Sequence, residues 1–182
     1  MRGKSHIRLG QYLIGHYMES LPRRYTRAFL LGCVEPDRNP ATYLKGSLRC
    51  QWLRGHNYPN ARRFMAKIAR RLERKGKLGL WDYYTLGKLI HYTTDAFTYA
   101  HNEDFPPALR RHREYEARLQ THFLAYLQAD PQVSPRRYGS VMEAIARLHR
   151  EYENQARCLH RDARFALNAC CMVVLLLTGP IL

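Results

Sequence analysis

The sequence lacks paired cysteines and has no segment patterned as a β-strand. Its five cysteines are odd in number and never stand in C-x-x-C spacing, so they indicate neither a disulfide framework nor a cysteine zinc cluster. No segment sustains the apolar–polar alternation of a half-buried strand, and no internal repeat stands out. These absences favour reduced thiols that pack as small hydrophobic side chains, in a fold without β-sheet.

Acidic residues are also scarce. Fifteen Asp and Glu face thirty Lys and Arg, which gives a net charge of +15 and an isoelectric point near 10.0. Such an excess favours an anionic partner, and nucleic acid, an anionic membrane surface and a phosphate-bearing substrate all remain open. The basic runs between Arg62 and Lys77 follow helical spacing, which is typical of a solvated face but also suits binding to anionic lipid or nucleic acid.

Neither end of the sequence carries a clear targeting segment. Residues 1–9 are basic, but no apolar stretch follows them, so we predict no signal peptide and a cytoplasmic protein that can associate with membranes. The run 166–182 is almost wholly apolar and about as long as the shortest membrane-spanning helices. Gly179 and Pro180 shorten its helical part, and Asn168 lies within it, so a buried last helix is favoured over a membrane anchor.

Apolar residues at helical spacing predict an all-α fold, a multi-helix bundle formed by a single domain over residues 1–182. Between residues 33 and 60 the sequence is rich in Gly, Pro and Asn, which predicts a long loop or a set of short turns, and a loop of this length usually has a function. The predicted helices span 7–21, 23–31, 60–75, 81–101, 106–129 and 140–160, followed by the apolar tail.

The residues that point to chemistry lie in the middle of the chain. His91 and Asp95 stand four apart and therefore share one helix face, as do His112 and Glu116 on the next helix. His101 lies between the two pairs. Imidazole nitrogen and carboxylate oxygen are ordinary zinc ligands, and helix bundles build metal sites from facing helices. By spacing alone, a metal site between helices and a set of surface ion pairs both fit this pattern.

The surrounding sequence resembles the zinc-dependent phospholipase C family. The run LGKLIHYTTDAFTYAHN over residues 86–102 is similar to that family's signature helix, in which His-Tyr-x-x-Asp is followed six residues later by His and then by His-x-x-x-Glu. Three earlier segments match in the same order: KSHIRLG at 4–10, GCVEPD at 32–37 and GHN at 55–57. The resemblance runs from His6 to Glu116.

The resemblance implies a set of zinc ligands, two or three zinc ions and a catalytic residue. Asp37 is the candidate to orient or deprotonate the attacking water, although ligation alone would also explain it. Secreted members use the amine and carbonyl of an N-terminal Trp as further ligands, and this chain starts at Met1, so the third metal is expected to be weaker, differently ligated or absent. The implied ligands are Asp37, His56, His91 and Asp95 for one zinc, His101, His112 and Glu116 for a second, and His6 with bridging Asp95 for a third.

The expected activity is hydrolysis of a phosphodiester, with release of phospholipid head groups by metal-activated water. One alternative is a nuclease of the S1/P1 type, which shares a related helical zinc site and whose nucleic-acid substrate suits the +15 charge. A second alternative is a non-catalytic module in which zinc only holds helices together and the basic face binds an anionic partner.

Overall fold

The computed structural model describes residues 1–39, 57–102, 105–106, 108–134 and 136–179. Within these ranges the chain forms α-helices and no β-strand, which confirms the all-α prediction. The described helices are α1 (Gly3–Tyr17), α2 (Arg23–Arg38), α3 (Tyr58–Glu73), α4 (Leu80–Ala96), α5 (Leu109–Gln128), α6 (Val141–Glu153) and α7 (Leu159–Thr178), and a 3₁₀ turn spans Tyr99–His101.

Helix α4 is the central element of the bundle. Its second half is buried on every face, polar residues included, and it contacts α1, α2, α3 and α7. A helix that is buried all round has no solvent face, so its polar side chains need partners inside the protein. His91 and Asp95 therefore lie in the middle of the core.

A pair of glycines sets the distance between α2 and α4. A Cβ on Gly32 would lie 2.0 Å from the carbonyl oxygen of Tyr84, and a Cβ on Gly87 would lie 2.1 Å from that of Phe29. The two helices therefore touch backbone to backbone, which only glycine permits. This close contact brings the C-terminal part of α2 against the part of α4 that carries His91.

The predicted end of α2 was wrong. Gly32 was expected to stop the helix and residues 33–60 to form a loop or a set of short turns, but α2 continues to Arg38 through both Gly32 and Pro36. Residues 40–56 lie outside the described residues, so for them the loop stays a prediction. Glycine in a helix costs only about 1 kcal/mol, and the close contact with α4 offsets this. Asp37 consequently lies on a helix, held by α2 rather than by a loop.

Two other helix ends differ from prediction. Helix α4 ends at Ala96, and a tight turn with the 3₁₀ segment carries the chain to His101, which was expected on the same helix. Helix α6 ends at Glu153 instead of near residue 160, and α7 begins at Leu159. His149, which was expected to be solvated or capped, is buried with its Nε2 3.1 Å from the carbonyl oxygen of Ala96.

The apolar C-terminal segment forms α7. Residues from Arg161 to Val174 are mostly buried in this helix, as the sequence predicted. In the part of the chain that the structure describes, no helix combines the length and the apolar character that crossing a bilayer requires.

Asp82 stabilises the start of α4. Its carboxylate accepts the N–H of Gly79 at 3.0 Å, and it pairs with Arg71 at 3.1 Å and Lys75 at 3.3 Å. Burial acts to raise the pKa of Asp82, but the Gly79 N–H and these cations outweigh it and lower the pKa.

Asp82→Ala should lower the free energy of unfolding by about 1 kcal/mol, because a helix start loses its anionic cap. Since the pKa of Asp82 is lower in the folded chain, this contribution is present above the unfolded pKa of about 4 and is lost as pH falls through the folded value. Urea unfolding at pH 7 and pH 3 checks both points. If Asp82→Ala lowers the free energy of unfolding by the same amount at pH 7 and at pH 3, the effect does not come from the charge of the carboxylate.

Candidate metal centre

Four residues from three helices form the first group of candidate ligands. His6 lies on α1, Asp37 on α2, and His91 and Asp95 on α4, and one ligand atom from each lies within 4.8 Å of the others. The Nε2 of His91 is 3.2 Å from Asp95 Oδ2 and 3.5 Å from Asp37 Oδ1. The rings of His6 and His91 stack with their centroids 4.0 Å apart. The group is thus compact enough for one small cation.

Three residues form the second group. His101 comes from the turn after α4, and His112 and Glu116 stand one helical turn apart on α5, again with ligand atoms within 4.8 Å of one another. Glu116 Oε1 is 3.4 Å from His112 Nε2 and 4.0 Å from His101 Nε2. His112 has the largest exposed fraction of the three side chains, 30%, whereas His101 is buried.

Asp95 lies between the two groups. Its Oδ1 is 3.4 Å from His6 Nε2, and its Oδ2 is 3.2 Å from His91 Nε2 and 3.8 Å from His101 Nε2. The carboxylate is fully buried. A carboxylate offers two oxygens, so Asp95 can serve a cation on either side of it.

Two hydrogen bonds orient histidines of the centre. His91 Nδ1 lies 2.9 Å from the carbonyl oxygen of Cys33, and an N–H there donates to the carbonyl and leaves Nε2 for the ligand group. Thr98 donates its hydroxyl to the backbone oxygen of Asp95, so its oxygen accepts from His101 Nδ1 at 2.8 Å. Such outer partners fix the tautomer of metal-binding histidines. Sequence analysis missed both, and nothing in the spacing of Thr98 identifies it.

Backbone atoms of Met1 also reach the centre. The α-amine of Met1 is 2.6 Å from Asp95 Oδ1 and 3.1 Å from Glu116 Oε1, and the Met1 carbonyl oxygen is 3.1 Å from His6 Nε2. Because the sequence does not begin with Trp, the third metal was expected to be weaker, differently ligated or absent. Amine and carbonyl groups belong to the backbone, so Met1 supplies both without an aromatic side chain.

The charges at the centre favour a cation. Burial acts to lower the pKa of the Met1 amine, but Asp95, Glu116 and Asp37 outweigh it and raise the pKa to about 10. The amine therefore supplies a positive charge where carboxylates of both groups converge. Burial likewise acts to raise the pKa of Asp95, but the neighbouring His101 imidazole and the Met1 amine outweigh it and hold that pKa well below its usual range.

Burial disfavours the protonated form of three histidines of the centre. Burial lowers the pKa of His6 and His91, and it lowers the pKa of His101 further. Neutral imidazoles and ionised carboxylates are the protonation states that zinc requires. In addition, the buried Nδ1 of His6 has no hydrogen-bond partner in the described part of the chain. The donor set, with nitrogen and oxygen ligands only, fits zinc.

His6, which the resemblance assigns to a third metal with bridging Asp95, lies close to Asp37, His91 and Asp95 in one group. The number of ions, and with it the third metal, stays a prediction. His56, expected in the first group, lies outside the described residues, so its place stays a prediction. The other residues of the two zinc sets fall in the groups to which they were assigned.

A cationic groove opens beside the first group. Its cavity of about 480 Å³ lies between α1 and α2, and Asp37 lines it together with Lys4, Arg8 and Arg38. Ile7 and Val34 line it as well and add apolar surface. An anionic substrate with apolar parts is attracted to such a surface.

Fold and centre together define a class: helical proteins in which core helices bring two adjacent groups of histidine and carboxylate ligands together. A family model described as zinc-dependent phospholipase C matches residues 5–170, so the chain belongs to that family. The matched range contains both ligand groups. Comparisons with curated proteins and with solved structures gave no match.

Proposed function

We propose that this protein hydrolyses phospholipids at the head-group phosphodiester, with one zinc ion in each ligand group. The observation that carries the proposal is the position of Asp95, whose two oxygens face ligands of both groups. With Asp37 acting as a base rather than as a ligand, each group supplies three side-chain ligands, and zinc held by three protein ligands keeps a position for water or substrate. Zinc bound in this way lowers the pKa of a coordinated water and neutralises phosphate oxygens.

We also propose Asp37 as the group that accepts the proton of the attacking water. Its carboxylate is 25% exposed and lines the groove, whereas Asp95 is fully buried. A base must reach the water from the substrate side, which favours Asp37. The cations along the groove hold a negatively charged substrate beside this carboxylate.

Asp37→Asn should slow hydrolysis by about a hundredfold or more, since general bases contribute on this scale, while both zinc ions are retained. Rates at saturating zinc and zinc content per chain are measured on the same sample. Loss of a zinc ion in the variant would assign Asp37 to ligation alone.

The substrate class is tested by comparing a short-chain phosphatidylcholine with single-stranded DNA on zinc-loaded protein. The proposal expects release of phosphocholine and little cleavage of DNA. Faster cleavage of DNA would favour a nuclease, and absence of both activities with zinc bound would favour a non-catalytic zinc module.

Chelation should lower the melting temperature by about 5 °C or more. Bound ions stabilise only the folded chain, and a ligand at a hundred times its Kd contributes about 2.7 kcal/mol, which for a domain of this size shifts Tm by several degrees. Scanning calorimetry with and without a strong chelator measures the shift. An unchanged melting temperature in protein shown to contain zinc beforehand would contradict binding inside the core.

A further inference from the structure

A second cavity lies on the other side of the turn that carries His101. It measures about 660 Å³ and lies between the start of α3, the 3₁₀ turn, α6 and the segment that leads into α7. Among the described residues, no candidate zinc ligand lines it. Tyr99 and Asn102 line this cavity, while His101 between them faces the metal centre.

The lining of this cavity is strongly basic. Four arginines contribute to it, and Glu153 is the one acid among the described residues that line it. Arg161 is paired with buried Asp162 at 2.9 Å. Within the described ranges, Arg62 and Arg150 make no ion pair, so their charges stay uncompensated. The four arginines are Arg62, Arg150, Arg157 and Arg161.

Part of the wall is held in a fixed arrangement. Arg161 is only 5% exposed and donates to Asp162 Oδ1, to the carbonyl oxygen of Gln155 at 3.0 Å and to the hydroxyl of Tyr152 at 2.8 Å. The guanidinium of Arg157 lies over the ring of Tyr99, 4.7 Å from its centroid, and donates to its hydroxyl at 3.2 Å. Ordered guanidinium groups lose less conformational entropy when they bind a ligand.

The chemistry of the lining selects the ligand. Guanidinium groups bind phosphate oxygens in bidentate fashion, and several around one cavity favour an anion with more than one negative charge. Tyr58 and Tyr99 add hydroxyl and ring surface beside them. A cavity of 660 Å³ falls in the range of small-molecule sites and exceeds the size of a single phosphate ion.

We propose that the arginine-lined cavity between α3, α6 and the start of α7 binds a small soluble molecule with a phosphate monoester or diphosphate group. This site is separate from the metal centre, and the proposal does not depend on the proposed activity.

Calorimetric titration of the zinc-loaded protein with inorganic pyrophosphate tests the site. Zinc also binds phosphates, so variants are needed to distinguish binding in the cavity from binding at the metal centre. The double variant Arg62→Gln/Arg150→Gln should bind pyrophosphate about tenfold more weakly or worse, because two charge-assisted contacts are lost. Glu153→Gln should bind it more tightly, since the acid of the lining is neutralised.

The matched control is Arg63→Gln/Lys67→Gln, which removes the same charge from exposed positions of α3 outside the cavity. This control and His112→Ala, which alters the metal centre, should each retain the binding attributed to the cavity. The proposal is overturned if wild-type protein does not bind pyrophosphate. It is equally overturned if His112→Ala loses the binding while Arg62→Gln/Arg150→Gln keeps it, or if both double variants weaken it alike.

Discussion

Asp95→Asn should remove zinc from both ligand groups and reduce phosphodiester hydrolysis on the order of a thousandfold, the scale on which loss of preorganised charge acts in active sites. Asparagine keeps the size of the side chain but not its negative charge. Both ligand groups therefore lose the carboxylate that lies between them. The substitution also leaves the buried Met1 amine, 2.6 Å away, without its closest carboxylate. Breaking a buried charge pair costs about 3–5 kcal/mol, so the variant should melt at a lower temperature as well.

The matched control for Asp95 is Asp130→Asn. The side chain of Asp130 is 60% exposed. Asp130 contacts the side chains of Tyr12 and His16, and neither of these belongs to a ligand group. Its backbone φ is +48°, a conformation that asparagine also tolerates. Zinc per chain and the rate of hydrolysis are measured for both variants. Full zinc content in Asp95→Asn would contradict the shared role of this carboxylate.

Gly87→Ala should lower the free energy of unfolding by about 3 kcal/mol, as severe overpacking in a core does. The new methyl group would lie 2.1 Å from the Phe29 carbonyl oxygen and 2.8 Å from the Cys33 amide nitrogen. Both are backbone atoms of α2, so α2 must move away from α4. That movement separates Asp37 from His91 and weakens the Cys33 carbonyl contact that orients His91.

Gly15→Ala is the matched control for Gly87. Gly15 is exposed on α1, and nothing lies within 4 Å of the position its Cβ would take. Because alanine favours helix over glycine by about 1 kcal/mol, this variant should be slightly more stable than wild type. Urea unfolding measures the free energy of unfolding of both variants. Zinc titration of folded Gly87→Ala then shows whether the metal centre still binds zinc. Equal stabilities for the two alanine variants would mean that the backbone contact between α2 and α4 is not a constraint.

Much of the helical fold could be predicted from local patterns. The pairs His91–Asp95 and His112–Glu116 share a helix face by periodicity alone, and the structure places each pair in a ligand group. Burial of the apolar C-terminal segment likewise followed from its short length and its Gly-Pro end. These features depend on residues close in sequence, which helical geometry relates directly.

What the sequence could not predict depends on contacts between distant segments. Gly32 and Pro36 read locally as a helix end, and only the contact with Gly87 of α4 shows why the helix continues. The position of His101 depends on a turn after Ala96, and the spacing of apolar residues along the helix does not predict that turn. Met1 was discounted because it is not a Trp, although the groups that reach the centre, its amine and its carbonyl, belong to the backbone.

The central claim is that two zinc ions lie in the two ligand groups and support hydrolysis. It is tested most directly by counting zinc per chain in purified protein dialysed against zinc and then against metal-free buffer, with phosphatidylcholine hydrolysis measured on the same sample. The account predicts at least two zinc ions per chain and a hydrolysis rate that falls with chelation and returns with added zinc. One zinc or none, or hydrolysis that a strong chelator leaves unchanged, would contradict it.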